Sequence, residues 1–208
     1  MSIDISRPYN LSFTAASLRP ELARIVAEHY LATGDWDSAR RSIIETNALQ
    51  ARSARSAKRL EIELRRRLQT LSEGQLILLA GGTAEERAAF AWLAVIKHAP
   101  FVFEFSVEVL REKLAARDPV LRPSDYESYV ETKSLLHPEL GELTASSREK
   151  IRQVLLSMLT EAGLLGNGRR EKPIHRPVLS PAVVQAITED DPRWLAGFLV
   201  PDSEIAAP

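Results

Sequence analysis

None of this chain's twelve prolines lies between Glu21 and Ala99, while ten lie from Pro100 onward. Proline fixes φ and removes a backbone donor, so the first half is free to run as nearly continuous helix, whereas the second must turn often. Start signals agree. Thr83 with Glu86, Ser124 with Glu127 and Ser146 with Glu149 have capping-box spacing, and Ser180 before Pro181 suits an N-cap and first helical turn. The expected helices are Arg19 to Thr33, Trp36 to Thr46, Ala51 to Leu71, Glu85 to His98, Phe103 to Arg117, Ser124 to Leu135, Ser147 to Ala162 and Pro181 to Thr188. The expected class is mainly α. A boundary near Leu71 to Gln75, or in the Gly81-Gly82 turn, divides the chain into an N-terminal helix-turn-helix region, 1–73, and a C-terminal helical region, 74–208. The tail from Pro192, with Trp194, Leu195, Phe198, Leu199 and Val200, is apolar enough to pack back on the body.

Charge is segregated. Between Arg40 and Arg67 stand nine Lys or Arg against three acids, a net +6 inside a chain of net −1. Positive charge gathered on a helix needs an anionic partner or a buried acidic neighbour, and nucleic acid is the commonest such partner. At about 100° per residue, Ala57, Leu60, Leu64, Leu68 and Leu71 form one apolar stripe. Arg52, Arg55, Arg59 and Arg66 fall nearly opposite, with Lys58 and Arg65 on a flank.

The preceding segment starts a helix at Asp35, and a four-residue break at Asn47 to Gln50 gives a helix-turn-helix arrangement. At the start of its second helix, Gln50, Arg52, Ser53, Arg55 and Ser56 suit phosphates or base edges, and Lys58, Arg59 and Arg66 extend the row. Arg40 and Arg41 stand alongside. A solvated face, or a face for a protein partner, is the plainer explanation of the same pattern.

A second candidate lies later. Ile151, Val154, Leu155, Met158, Leu159 and Ala162 mark an amphipathic helix that Gly163 ends. Leu164-Leu165, the turn Gly166-Asn167-Gly168, and then Arg169, Arg170, Lys172, His175 and Arg176 before Val178-Leu179 resemble the wing of a winged helix, a small β hairpin carrying cations to phosphate. A flexible basic loop would read the same way.

Other classes fit poorly. No cysteine is present, which removes thiolate chemistry and disulfides and suits a reducing, cytoplasmic setting. His29, His98, His137 and His175 lack metal-ligand spacing, and neither a cofactor nor a metal is expected. Ala80-Gly81-Gly82-Thr83 lacks the lysine of a phosphate loop, and no nucleophile elbow occurs, so the chain does not read as an enzyme. Met1 to Tyr9 is not a signal peptide, and the longest uncharged apolar run, Ala88 to Ile96, is nine residues where a membrane span needs about 20.

Tyr9-Asn10-Leu11-Ser12-Phe13-Thr14, Gly34-Asp35-Trp36, Asn47-Ala48-Leu49-Gln50-Ala51-Arg52-Ser53 followed by Ser56-Ala57-Lys58-Arg59, the Phe105 to Lys113 stretch, and Ala162-Gly163-Leu164-Leu165 form a set of strings. Together they resemble the BrxA family of BREX bacteriophage-exclusion systems. The resemblance runs from about Tyr9 to about Val200 and includes no catalytic signature. It implies a cytoplasmic, mostly helical accessory protein of a defence island that methylates host DNA and blocks phage replication. Other proteins encoded with it would be a methyltransferase, an alkaline-phosphatase-like protein and ATPases. The family also resembles the antitermination factor NusB, an all-helical RNA binder, which keeps RNA open beside double-stranded DNA as a ligand. A helical adaptor docking an acidic surface of another BREX component is the remaining alternative.

Overall fold

A computed structural model describes residues 8–205, so most of the Met1 to Tyr9 reading lies outside the described residues. The protein is mainly helical. A 3-10 turn, Ser12–Ala15, leads into α1 (Pro20–Thr33), α2 (Trp36–Glu45), α3 (Ala54–Leu68), α4 (Glu73–Gly81) and α5 (Ala84–His98). From Pro100 one long helix runs as α6 (Pro100–Phe105), a π-helical stretch (Ser106–Arg111) and α7 (Glu112–Ala115). Then follow β1 (Val120–Leu121), α8 (Pro123–Ser134), α9 (Pro138–Gly141), α10 (Ala145–Glu161), β2 (Lys172–Pro173), α11 (Pro181–Asp190), a 3-10 stretch (Pro192–Phe198) and α12 (Asp202–Ile205).

The axis of the structure is α5. Every residue from Ala89 to Ile96 is buried, so the apolar run too short to cross a membrane is an interior helix wrapped on all sides. It packs against α1, α3, α4 and α6 on the N-terminal side and against α11 and the 3-10 stretch on the other. The tail packs back as expected: Leu195, Phe198, Leu199 and Val200 are buried, and Trp92 Nε1 donates to the Gly197 carbonyl at 3.0 Å. A Cβ at Gly197 would sit 2.6 Å from Ile96 Cδ1, so a larger residue there would force the Ile96 side chain to shift. A single cluster of buried apolar residues runs from Tyr9 to Val200.

Two expected caps hold. Thr83 and Glu86 form a reciprocal box, and Ser180 caps α11. Two shift by a few residues. Helix α8 begins at Pro123, where Asp125 accepts the Arg122 N–H at 2.7 Å, and α10 is capped by Thr144 rather than Ser146. The reading of 71–82 as boundary and turn omitted α4, although its signal is in the sequence, because Ser72 and Gln75 form a full capping box. The helix expected from Phe103 starts earlier, at Pro100, a residue suited to a first turn.

Two buried polar knots pin the N-terminal segment. Tyr9 donates its hydroxyl to Glu104 at 2.5 Å and its N–H to Glu139 at 2.6 Å, and its ring stacks on His137 at 3.7 Å. Burial, followed by the bond to Glu104, pushes the Tyr9 hydroxyl's pKa well above the usual phenol range. Arg67, 2% exposed, donates Nε to Glu63 at 2.8 Å and its terminal nitrogens to the carbonyls of Phe13, Ala16 and Ser17 at 2.8–2.9 Å. Burial lowers its pKa while Glu63 pulls it back up. Arg67→Ala would leave Glu63 and three carbonyls without that donor. The expected loss is about 3–5 kcal/mol, read as a thermal midpoint lower by roughly 10 °C in calorimetry.

Candidate nucleic-acid interface

The basic stretch divides into inward and outward arginines. On α3, Ala57, Leu64 and Leu68 are buried and Leu60 packs on the same core, as the apolar stripe requires. Glu61 and Glu63 are buried beside that stripe. They engage three of the nine cations: Arg67 with Glu63, Arg65 Nε with Glu61 at 2.7 Å, and Arg40 Nε 3.9 Å from Glu61. Among the described residues Arg41 reaches only Ser38. Arg52, Arg55, Lys58, Arg59 and Arg66 are exposed, and among the described residues none has a salt bridge or side-chain hydrogen bond. Arg55, Arg59 and Arg66 lie within about 40° of one another around the helix and span about 16 Å of its length.

The connection to α3 differs from the expected four-residue break. It covers residues 46–53, and α3 begins at Ala54 rather than Ala51. The chain takes left-handed turns at Asn47 (φ 48°) and Gln50 (φ 50°), Asn47 Oδ1 accepts the Ala51 N–H at 3.1 Å, and Leu49 drops into the core. Local Asn bonding of this kind competes with helix. Gln50, Arg52 and Ser53 therefore sit in the loop, with Ser53 capping the helix through the Ser56 N–H at 3.2 Å. What α3 presents is a flank of cations rather than a short recognition tip.

The second candidate segment is an ordered hairpin. His175 N–H donates to Leu164 O at 2.9 Å, Gly166 N–H to Pro173 O at 2.8 Å, and Leu165 pairs with Ile174. On the other edge β1 pairs antiparallel with β2, Val120 opposite Pro173 and Leu121 opposite Lys172. Sequence reading did not assign β1, which is two residues long and carries no alternation to detect. Its entry is fixed by Asp118, whose carboxyl is held down to about 2 by hydrogen bonds from Arg122 and Lys113.

The hairpin and α10 line a groove of about 390 Å³ that gathers Arg122, Arg152, Arg169, Arg170 and Lys172 along with Glu127 and Glu149. Arg148 lines the adjoining groove beside α8. Arg122, Arg148 and Arg152 were not singled out from the sequence, because acids stand at close spacing around them, and only folding shows that they share a surface with the hairpin cations. Arg176 stands apart from that group, paired bidentately with Glu204.

Among the described residues no group of three or more His, Cys, Asp or Glu could hold a metal ion, and no helix is long and apolar enough to cross a membrane. The BrxA family model matches residues 7–191. The BREX protein BrxA of Escherichia coli O9:H4 (strain HS) is 30% identical over 81% of this chain and 80% of its own length. The BREX protein BrxA of Bacillus cereus (strain H3081.97) is 26% identical over 69% and 72%. The crystal structure of an uncharacterized protein from Magnetospirillum magneticum shares the fold with a TM-score of 0.81, at 21% identity over 93% of this chain and 98% of that one. With the family model covering most of its length and a 30% identical relative aligned over four-fifths of it, the chain belongs to the BrxA family.

Proposed function

We propose that this protein is a non-enzymatic accessory component of a BREX phage-defence system that binds double-stranded DNA, mainly through phosphates. The observation that carries the reading is the outward division of charge on α3 and the loop before it: where Arg65 and Arg67 have interior acids, Arg52, Arg55, Lys58, Arg59 and Arg66 face solvent without one. An uncompensated row of five cations in a protein of net charge −1 is what a polyanion meets. Because these cations lie along a flank, contact with the backbone is favoured over base readout and little sequence preference is expected. The hairpin cations Arg169, Arg170 and Lys172 offer a second phosphate-contacting element.

If α3 neutralises four to five phosphates, log affinity falls against log salt with a slope of about −4. Fluorescence anisotropy with duplex DNA at several salt concentrations measures it, and a flat response rules the reading out. Changing Arg52, Arg55 and Arg59 together to alanine should make the slope shallower by about 2.7 and weaken binding equally for unrelated sequences. Unchanged affinity in the folded triple variant moves the interface elsewhere.

One observation favours a protein partner as a second reading. Leu135 and Leu136 are 82% and 59% exposed. Leu135 borders a groove of about 700 Å³ between α8 and α10. An adaptor role predicts co-purification with a BREX component and no competition by DNA. An RNA-binding role predicts preference for RNA when single-stranded RNA, duplex RNA and duplex DNA are titrated side by side, since the A-form major groove excludes a helix.

A further inference from the structure

Glu61 is used differently from Glu63. Glu63 faces a guanidinium whose other donors are consumed by carbonyls, which makes a closed interior knot. Glu61, its side chain 1% exposed, accepts Arg65 Nε on Oε1 at 2.7 Å, while among the described residues its buried Oε2 accepts no hydrogen bond and has Arg40 Nε 3.9 Å away. Both arginines therefore address the carboxylate through Nε. A guanidinium has five N–H donors, and engaging Nε leaves the four terminal ones. Among the described residues those four have no partner on either arginine. Both side chains reach the surface, Arg65 19% and Arg40 46% exposed.

Charge and geometry then point the same way. Two guanidiniums and one carboxylate carry +1, which a single phosphodiester cancels. A buried carboxylate oxygen without a donor is costly, and that cost falls if Arg40 closes the remaining gap to Oε2. A phosphate bridging the terminal nitrogens of Arg40 and Arg65 would draw it in. We infer that Glu61 is a positioning residue that sets Arg40 of α2 and Arg65 of α3 as a clamp for one backbone phosphate of the nucleic acid. The inference rests on the duplex-DNA reading and adds to it a defined phosphate contact, at the seam of two helices, built on an acid.

The test turns on a sign. Deleting a negative charge from a basic face should tighten binding to a polyanion if charge alone matters. The clamp requires the reverse: Glu61→Gln weakens duplex DNA by about tenfold at moderate salt, the loss of one charge-assisted contact, and makes the salt slope shallower by about 1. Equal or tighter binding by folded Glu61→Gln overturns the clamp. Should Glu61→Gln fail to fold by circular dichroism and thermal melting, Arg40→Lys and Arg65→Lys decide the matter, because lysine keeps the charge and loses the fork. A shared phosphate makes their losses non-additive, the double variant binding about as well as the weaker single variant. Additive losses overturn the clamp. The two levels separate cleanly: a wild type with no salt-dependent binding removes the DNA reading and the clamp with it, whereas a wild type that binds normally beside an indifferent Glu61→Gln removes the clamp alone.

Discussion

A guanidinium shut away from water must satisfy its donors inside the protein, and Arg67 does so with one carboxylate and three carbonyls of the N-terminal segment. That constraint orients everything near it. The bonds tie residues 13–17 to α3, and α3 packs in turn on α1 and α5, so the rotation of α3 about its own axis is fixed by an interaction at its C-terminal end. Because a helix turns about 100° per residue, fixing Arg67 inward fixes Arg55, Arg59 and Arg66 outward. The exposed row follows from the buried knot.

The same logic shows how much of the molecule its sequence disclosed. Eight helices were legible, with ends displaced by a few residues, because most combine a capping or proline start with a periodic apolar face. The apolar face of α3 was legible for the same reason. What the sequence withheld was the destination of individual charges. Arg65, Arg66 and Arg67 are adjacent, yet one pairs with Glu61, one meets solvent and one enters the core: Arg65 and Arg67 each have an acid one turn earlier on α3, and only folding brings the carbonyls of residues 13–17 to Arg67.

Two other features escaped because their signal is nonlocal or weak. Strand β1 lies some fifty residues before its partner β2 and is two residues long, so no periodicity betrays it. Residues 51–53 read as the start of α3 in the sequence, since Ala51 and Arg52 are good helix formers. Asn47 competes with that preference by bonding the Ala51 backbone, and Leu49 is buried in the core.

Strand β1 braces the hairpin from outside it. A two-stranded ribbon alone is marginal in water and would flex at its base. Here β1 closes one edge, the Ile174 N–H bonds the Pro119 carbonyl at 2.8 Å, and Asp118 gathers Lys113 and Arg122 at the same point. The conformational entropy of ordering the hairpin is thus lost when the chain folds. Arg169 and Arg170 are held out by a preorganised scaffold whose stiffness is borrowed from the helices on either side of it.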